Sequence, residues 1–322
     1  MGPDFAKPLS AATRLLAVFG QPIGHSASPA MQNAGLAALG FDWRYVACAV
    51  APERLGEALA GARSMGFLGV NLTVPHKLLA LPLMDLLDDS ARDWGAVNTV
   101  VFEAEDVEGR WLPVGQLREV SGPVRAKGYN TDADAVVTSI ATDLQLELRS
   151  ARVLLLGAGG AGRATALRLA EAGVSELFLV NRTESKAEAL RREIEERYPA
   201  VSAQLGYPEA EVELVVNATS LGLHTGDARP WDAERFDLRR ADAVYDLIYR
   251  PAETSLLAAG RAAGLRTANG LGMLLHQGAA ALSLWTGRPA PVAAMQAALW
   301  REIYGAGTST KPASGSERGT RE

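Results

Sequence analysis

Cysteine is nearly absent, with Cys48 the only one in 322 residues. An internal disulfide is therefore impossible, as is a metal site built on several thiolates, and a lone thiol suits a reducing compartment. Clustered positive charge is missing too. The 32 Lys and Arg stand against 37 Asp and Glu, a formal net charge of −5 with no long run of one sign. Nucleic-acid surfaces announce themselves by clustered basic residues, so no nucleic-acid partner is expected. The 4 histidines show no metal-ligand spacing, and no metal is expected. The windows 15–41 and 267–287 carry no Asp, Glu, Lys or Arg. They are interrupted, however, by Gly and by Gln21, His25, Asn33, Asn269, His276 and Gln277, groups that lipid penalises. No membrane partner follows. The first twelve residues lack the basic start and apolar run of a secretory signal, which points to the cytoplasm. No internal repeat is present.

What is there is the composition of a soluble globular protein, 48% apolar and 21% charged. At roughly 150 residues per domain the length suggests two domains. The apolar run 15–19 ends in the turn signal Gly20-Gln21-Pro22 and reads as a strand. A helix follows over 29–39, with Ser28 as N-cap and Pro29 in the first turn. A strand at 43–50, a helix at 52–65 and a strand at 69–73 continue the alternation, which predicts a parallel α/β layer. Residues 103–127 carry an acidic run and scattered Gly and Pro without periodicity, and read as an exposed, peripheral hairpin or loop.

Beyond a helix at 132–144 lies the clearest βαβ unit of the chain: strand 152–156, glycine turn 157–162, a helix to 172 and strand 176–180. Strands near 212–216 and 243–247 extend it into a doubly wound domain, with a charged helical stretch at 184–197 between. Gly157-Ala158-Gly159-Gly160-Ala161-Gly162 satisfies G-x-G-x-x-G in the right frame. There the glycines let the backbone turn tightly and approach a pyrophosphate held by the helix N-terminus. After the second strand come Asn181-Arg182-Thr183, where an acidic residue would instead accept a free ribose hydroxyl. A guanidinium and a hydroxyl suit a 2′-phosphate and favour NADP. Glu184 and Lys186 leave the local sign mixed, so an ordinary solvated Arg182 also fits.

In the first half, Ser26 and Ser28 stand at a loop-to-helix junction that could receive a carboxylate, although a cap needs no ligand. Asn71-Leu72-Thr73-Val74-Pro75-His76-Lys77 ends a predicted strand with an amide, a hydroxyl and an amine. Gly95-Ala96-Val97-Asn98-Thr99 and Gly128-Tyr129-Asn130-Thr131-Asp132 add two Asn-Thr pairs, the second closing on a carboxylate. Singly each reads as a turn or cap. Together they supply amides and hydroxyls for a polyhydroxylated substrate, with one amine and one acid for proton transfer.

On these motifs, with Asn217-Ala218-Thr219-Ser220, Asp246 to Tyr249, Pro251, Thr254 and the run Gly270 to Leu274 with Gln277, the chain resembles the shikimate dehydrogenase family from Val18 to about Tyr304. The resemblance implies NADP-dependent reduction of 3-dehydroshikimate to shikimate, in aromatic amino-acid biosynthesis. It implies that Ser26 and Ser28 hold the substrate carboxylate with Tyr249 nearby, and that Asn71, Thr73, Asn98 and Gln277 bind ring hydroxyls. Lys77 and Asp132 would form the acid/base pair. Gly157, Ala158, Gly159, Gly160 and Ala161 would meet the pyrophosphate, and Asn181, Arg182 and Thr183 the 2′-phosphate. Thr219, Ser220, Leu247, Gly270 and Met273 would flank the ribose and nicotinamide. The chain departs from the family at Gln32, where His is usual, and in the longer stretch between Asn98 and Asn130. NAD-using quinate/shikimate oxidation and a non-catalytic cofactor-binding regulator are the rival activities.

The expected architecture is α/β throughout. A substrate-binding catalytic domain spans 1–130, with 1–12 flexible and an enlarged loop at 103–127. A Rossmann NADP-binding domain spans 131–270, with the active site in the cleft between the two. Helices over 271–304 pack back on the first domain, and 305–322 is a disordered tail. The expected partner is the small-molecule substrate alone, bound by a monomer or homodimer.

Overall fold

The computed structural model describes residues 8–224 and 226–305. The expectations for 1–7 and 306–322 lie outside them. Within 8–12, expected to be flexible, the Ser10 amide donates to Thr13 Oγ1, whose hydroxyl donates to Asp42, so this end is tethered. The described chain divides into two compact units, residues 8–132 with 275–305, and residues 133–274.

The chain of the first unit runs β1 (Arg14–Gly20), α1 (Ser28–Ala38), β2 (Trp43–Ala49), α2 (Leu55–Ser64), β3 (Gly69–Leu72), a short α3 (His76–Leu79), β4 (Leu86–Leu87), α4 (Asp89–Trp94), β5 (Thr99–Glu105), β6 (Trp111–Pro113) and β7 (Val124–Tyr129). The sheet order is β2-β1-β3-β5-β7-β4, with β6 beside β5. Strands β2, β1 and β3 are parallel, as the alternating pattern predicts. The sheet as a whole is nevertheless mixed, because β5 runs antiparallel to both β3 and β7. This corrects the all-parallel layer, and its cause lies in the stretch 103–127. Its two ends are β5 and β7 themselves, and its middle returns as β6 beside β5, followed by buried Val114, whose carbonyl accepts from Arg14. Glu103 looks like an exposed acid in the sequence, yet it is buried in β5 and paired with Arg125 of β7 at 2.7 Å. A buried carboxylate needs such a partner, and here the partner comes from the neighbouring strand.

The chain continues with α5 (Asp132–Leu144), β8 (Arg152–Leu156), α6 (Gly160–Glu171), β9 (Glu176–Val180), α7 (Glu184–Arg197), β10 (Ser202–Leu205), β11 (Val212–Asn217), β12 (Ala241–Asp246), α8 (Ser255–Ala262), β13 (Arg266–Asn269), α9 (Leu271–Thr286) and α10 (Val292–Tyr304). The second unit holds a six-stranded sheet in the order β10-β9-β8-β11-β12-β13, every pair parallel. Counted from β8, that is 3-2-1-4-5-6, the doubly wound order whose ligands bind where the winding reverses, beyond the ends of β8 and β11. Its four inner strands, β9, β8, β11 and β12, are mainly apolar and buried, and Leu154, Leu156, Val215 and Val244 pack with Trp231, Phe236 and Leu256.

Residues 275–305 pack within the first unit. A Cβ on Gly35 of α1 would lie 2.7 Å from Leu282 of α9 and 3.0 Å from Met295 of α10, so three helices meet closely there. The uncharged windows 15–41 and 267–287 resolve into β1 with α1, and β13 with α9. Among the described residues no helix is long and apolar enough to cross a membrane.

Candidate active site

Sheet direction gathers the first-unit motifs. β1 and β3 are parallel neighbours, so the loop bearing Ser26 and the loop bearing Thr73 and Lys77 leave the sheet at one edge. β5 runs the other way, which brings its start, after Asn98, to the same edge, and β7 ends there before Asn130, Thr131 and Asp132. Registers Asn71↔Thr99 and Thr99↔Tyr129 fix the alignment. Lys77 and Asp132 are 55 positions apart in sequence, yet Lys77 Nζ donates to Asp132 Oδ2 at 2.7 Å. Both side chains keep a solvent-facing part, 34% and 19%. Asp132 opens α5, but its amide is satisfied by Asn130 Oδ1 at 3.0 Å, and its carboxylate is turned to the amine.

The amides form a buried network. Asn71 Nδ2 donates to the Asn98 carbonyl at 3.2 Å and to Thr99 Oγ1 at 2.9 Å. Asn98 Oδ1 accepts from the Thr131 amide at 2.8 Å, and Asn98 Nδ2 donates to Thr131 Oγ1 at 2.9 Å. The Tyr45 hydroxyl reaches Asn71 Oδ1 at 2.6 Å. Thr99 and Thr131 come from the Asn-Thr pairs visible in the sequence. Tyr45 has no such signal, being one aromatic among the residues of β2.

Ser28 was expected to cap α1 but is its first residue; the acceptor is Ser26, whose Oγ takes the Ser28 amide at 3.3 Å. Thr73 is half-buried, its Cγ2 2.4 Å from where a Cβ on Gly20 would lie. Gln277 is buried on α9. Next to it, the Gly278 carbonyl accepts from buried Gln32 at 2.9 Å, so the residue that departs from the family pattern still ties α1 to α9. Tyr249 belongs to the second unit, where burial lifts its hydroxyl above the usual tyrosine range.

His76 anchors the turn that carries Lys77. It is fully buried, its Nε2 donates to the Val50 carbonyl at 2.9 Å, and Nδ1 has no hydrogen-bond partner among the described residues. Protonation would add a buried N–H with nothing to accept it, and burial holds the imidazole below the usual 6.5. The folded state thus favours neutral His76. The stability this contributes is present above about 6.5 and lost as pH falls through the lowered folded value. Urea midpoints should fall between pH 7.5 and 5.5, and His76→Gln, which keeps a donor without titrating, should flatten that fall. An unchanged pH dependence would remove His76 as its source.

In the second unit the glycine turn joins β8 to α6. Gly157 has φ +107° and donates its amide to the Val180 carbonyl at 2.7 Å, while a Cβ on Gly162 would lie 2.0 Å from Gly157 O. Gly157→Ala would strain the backbone and Gly162→Ala would collide with it. We expect Gly162→Ala to lower unfolding stability by about 1–3 kcal/mol and to abolish nucleotide binding, read by chemical denaturation and cofactor titration. A Cβ on Gly159 or Gly160 would meet nothing within 4 Å, so this backbone and the first turn of α6 stand open to a pyrophosphate. Asn181 ties the turn to the next loop, its Oδ1 accepting from the Ala158 amide at 2.9 Å and its Nδ2 donating to the Thr183 carbonyl at 2.7 Å. Ala161, Arg182 and Thr183 are exposed, and Arg182 has no ion pair among the described residues, so its charge is available to a phosphate.

Beyond β11, Asn217 Oδ1 accepts from the Thr219 amide and hydroxyl at 3.0 and 2.8 Å, and Ser220 is exposed beside them. Leu247 donates its amide to the Asn217 carbonyl at 3.0 Å. Gly270 lies so close to Leu247 that a Cβ would be 2.1 Å from its carbonyl oxygen, and Met273 follows, half-buried, in α9. The residues expected at the pyrophosphate, adenosine and nicotinamide therefore all follow the C-terminal ends of strands of this sheet, β8, β9, β11, β12 and β13. The donor set fits a phosphorylated dinucleotide.

A sheet wound in this order around a glycine turn defines the dinucleotide-binding class of α/β proteins, and the lysine-carboxylate pair of the other unit suits a dehydrogenase. Comparisons with known proteins narrow the class. The family model "Shikimate dehydrogenase substrate binding domain" matches residues 18–100, "Shikimate / quinate 5-dehydrogenase" matches 136–223, and "Shikimate 5'-dehydrogenase C-terminal domain" matches 270–299. The shikimate dehydrogenase (NADP(+)) of Moorella thermoacetica is 43% identical over 315 residues, 95% of this chain and 99% of that protein. A shikimate dehydrogenase solved in complex with NADP+ has a TM-score of 0.76 at 32% identity, covering 92% of this chain and 98% of its own. Shikimate 5-dehydrogenase from Thermus thermophilus, solved with NADP(H) and shikimate, has a TM-score of 0.73 at 38% identity, covering 90% and 99%. The chain belongs to the shikimate dehydrogenase family.

Proposed function

We propose that the chain is an NADP-dependent oxidoreductase that interconverts 3-dehydroshikimate and shikimate in the shikimate pathway of aromatic amino-acid biosynthesis. The observation that supports this reading most is the Lys77–Asp132 pair, at 2.7 Å, on the sheet edge that also carries the Asn71 and Asn98 amides. The turn from Gly157 to Ala161, with Asn181, Arg182 and Thr183, would hold the phosphates, and Thr219, Ser220, Leu247, Gly270 and Met273 the ribose and nicotinamide. When bound, NADPH supplies the hydride.

The chain's own work concerns charge and the proton. As the substrate carbonyl oxygen becomes an alkoxide, the Lys77 ammonium stabilises the negative charge and then donates the proton. Asp132 fixes the direction of that ammonium by a charge-assisted hydrogen bond. Both groups touch solvent, so Lys77 can recover its proton from water. Ser26, Ser28 and Tyr249 would hold the substrate carboxylate, and Asn71, Thr73, Asn98 and Gln277 the ring hydroxyls, which orients the ring for transfer. The enzyme works in the cytoplasm as a monomer or homodimer; the lone Cys48 thiol suits that compartment.

Absorbance at the nicotinamide band, with shikimate or quinate and NADP+ or NAD+ in each combination, tests the assignment. Fast reduction of NADP+ by shikimate is expected. A preference for quinate with NAD+ would reassign the specificity, and no turnover with any pair would leave a cofactor-binding module.

A further inference from the structure

Tyr45 is buried in β2 and has no part in the proposed chemistry, yet its hydroxyl lies 2.6 Å from Asn71 Oδ1. The backbone decides which of the two donates. Asn71 Nδ2 faces the Asn98 carbonyl at 3.2 Å, and a carbonyl oxygen can only accept. Oδ1 therefore faces Tyr45, and the phenol is the donor. Burial lifts that phenol well above the usual tyrosine range, so it keeps its proton at any working pH.

The same accounting fixes Asn98. Its Oδ1 accepts from the Thr131 amide, an obligate donor, at 2.8 Å, and lies 3.1 and 3.2 Å from the hydroxyls of Thr99 and Thr131. Its Nδ2 donates one hydrogen to Thr131 Oγ1 at 2.9 Å. The unused capacities of the two amides then differ. Asn71 has both Nδ2 hydrogens engaged, by the Asn98 carbonyl and by Thr99 Oγ1, and one Oδ1 lone pair taken by Tyr45, so what remains is an acceptor. Asn98 has a filled oxygen and one spare hydrogen, so what remains is a donor.

We infer that Tyr45 is a positioning residue that holds the Asn71 amide as an acceptor-only group, while the bonds to Thr131 and Thr99 leave Asn98 a donor. A ring hydroxyl that meets Asn71 must then give its proton, and one that meets Asn98 must receive one. The inference rests on the reading of Asn71 and Asn98 as ring-hydroxyl partners.

A double-mutant cycle on Tyr45→Phe and Asn71→Ala tests it, with KM for shikimate as the readout. A neutral hydrogen bond of about 1 kcal/mol corresponds to roughly a fivefold rise in that KM for Y45F, with kcat and the KM for NADP+ within about twofold. In the N71A background the same substitution should add nothing, because the group it acts through is gone. Equal losses in both backgrounds would overturn the inference. Should Y45F fail to fold, the wild-type enzyme answers with monodeoxyfluoro shikimates, in which fluorine cannot donate but accepts weakly. Of the two ring hydroxyls that are not oxidised, replacing one by fluorine should lose at least about tenfold in kcat/KM and replacing the other much less, whereas equal losses at both would overturn it. No oxidation of shikimate by the wild type would refute the functional reading and this inference together; normal oxidation with additive substitutions would refute this inference alone.

Discussion

Lys77→Ala should lower kcat at least about 10²-fold while KM for shikimate changes little, the signature of a group needed in the transition state rather than for binding. A hundredfold loss corresponds to about 2.7 kcal/mol of barrier, within reach of one positioned proton donor. The substitution should leave the fold intact. The Lys77–Asp132 ion pair is partly exposed, and such pairs contribute about 0–1 kcal/mol to stability. The backbone bond from the Val97 amide to the Lys77 carbonyl, 2.9 Å, does not involve the side chain. Steady-state kinetics beside a thermal melt separates the outcomes: a raised KM with kcat preserved would make Lys77 a binding group only, and a lost melt would make it structural.

Arg182→Ala should weaken NADPH by at least about tenfold and NADH by less than about twofold. Only NADPH carries the 2′-phosphate, and charge-assisted hydrogen bonds are worth about 1.5–3 kcal/mol. Arg182 is exposed, so salt must erode the effect: the NADPH preference of the unaltered enzyme should shrink as ionic strength rises past about 0.15 M, where the Debye length is about 8 Å. Asn181 should behave differently. Its side chain ties the glycine turn to the following loop, so Asn181→Ala should weaken both cofactors together. Equal losses of NADPH and NADH in Arg182→Ala would remove this residue from phosphate recognition.

The second unit was the more legible of the two in sequence, for a physical reason. A parallel sheet buried on both faces needs runs of β-branched and aliphatic residues, and a glycine turn can follow its first strand only in one frame. What escaped there were β10 and β13, the edge strands Ser-Ala-Gln-Leu and Arg-Thr-Ala-Asn, each four residues long and too polar to show a strand pattern. In the first unit the alternating pattern ended at β3, and the antiparallel β5 and β7 were hidden because a buried ion pair reads in sequence as two exposed charges. The polar motifs were visible as Asn-Thr pairs, but their convergence depends on strand direction, and direction is a property of the sheet. Tyr45 was invisible altogether. A buried tyrosine in a strand reads as core until its hydroxyl is found on a partner.

The role of Lys77 is decided by the structure of the ternary complex with shikimate and NADP+. Lys77 Nζ should lie within hydrogen-bonding distance, about 2.7–3.2 Å, of the hydroxyl being oxidised, with Asp132 still bonded to the amine. A shikimate ring bound with that hydroxyl turned away from Lys77, toward solvent or another side chain, would contradict it.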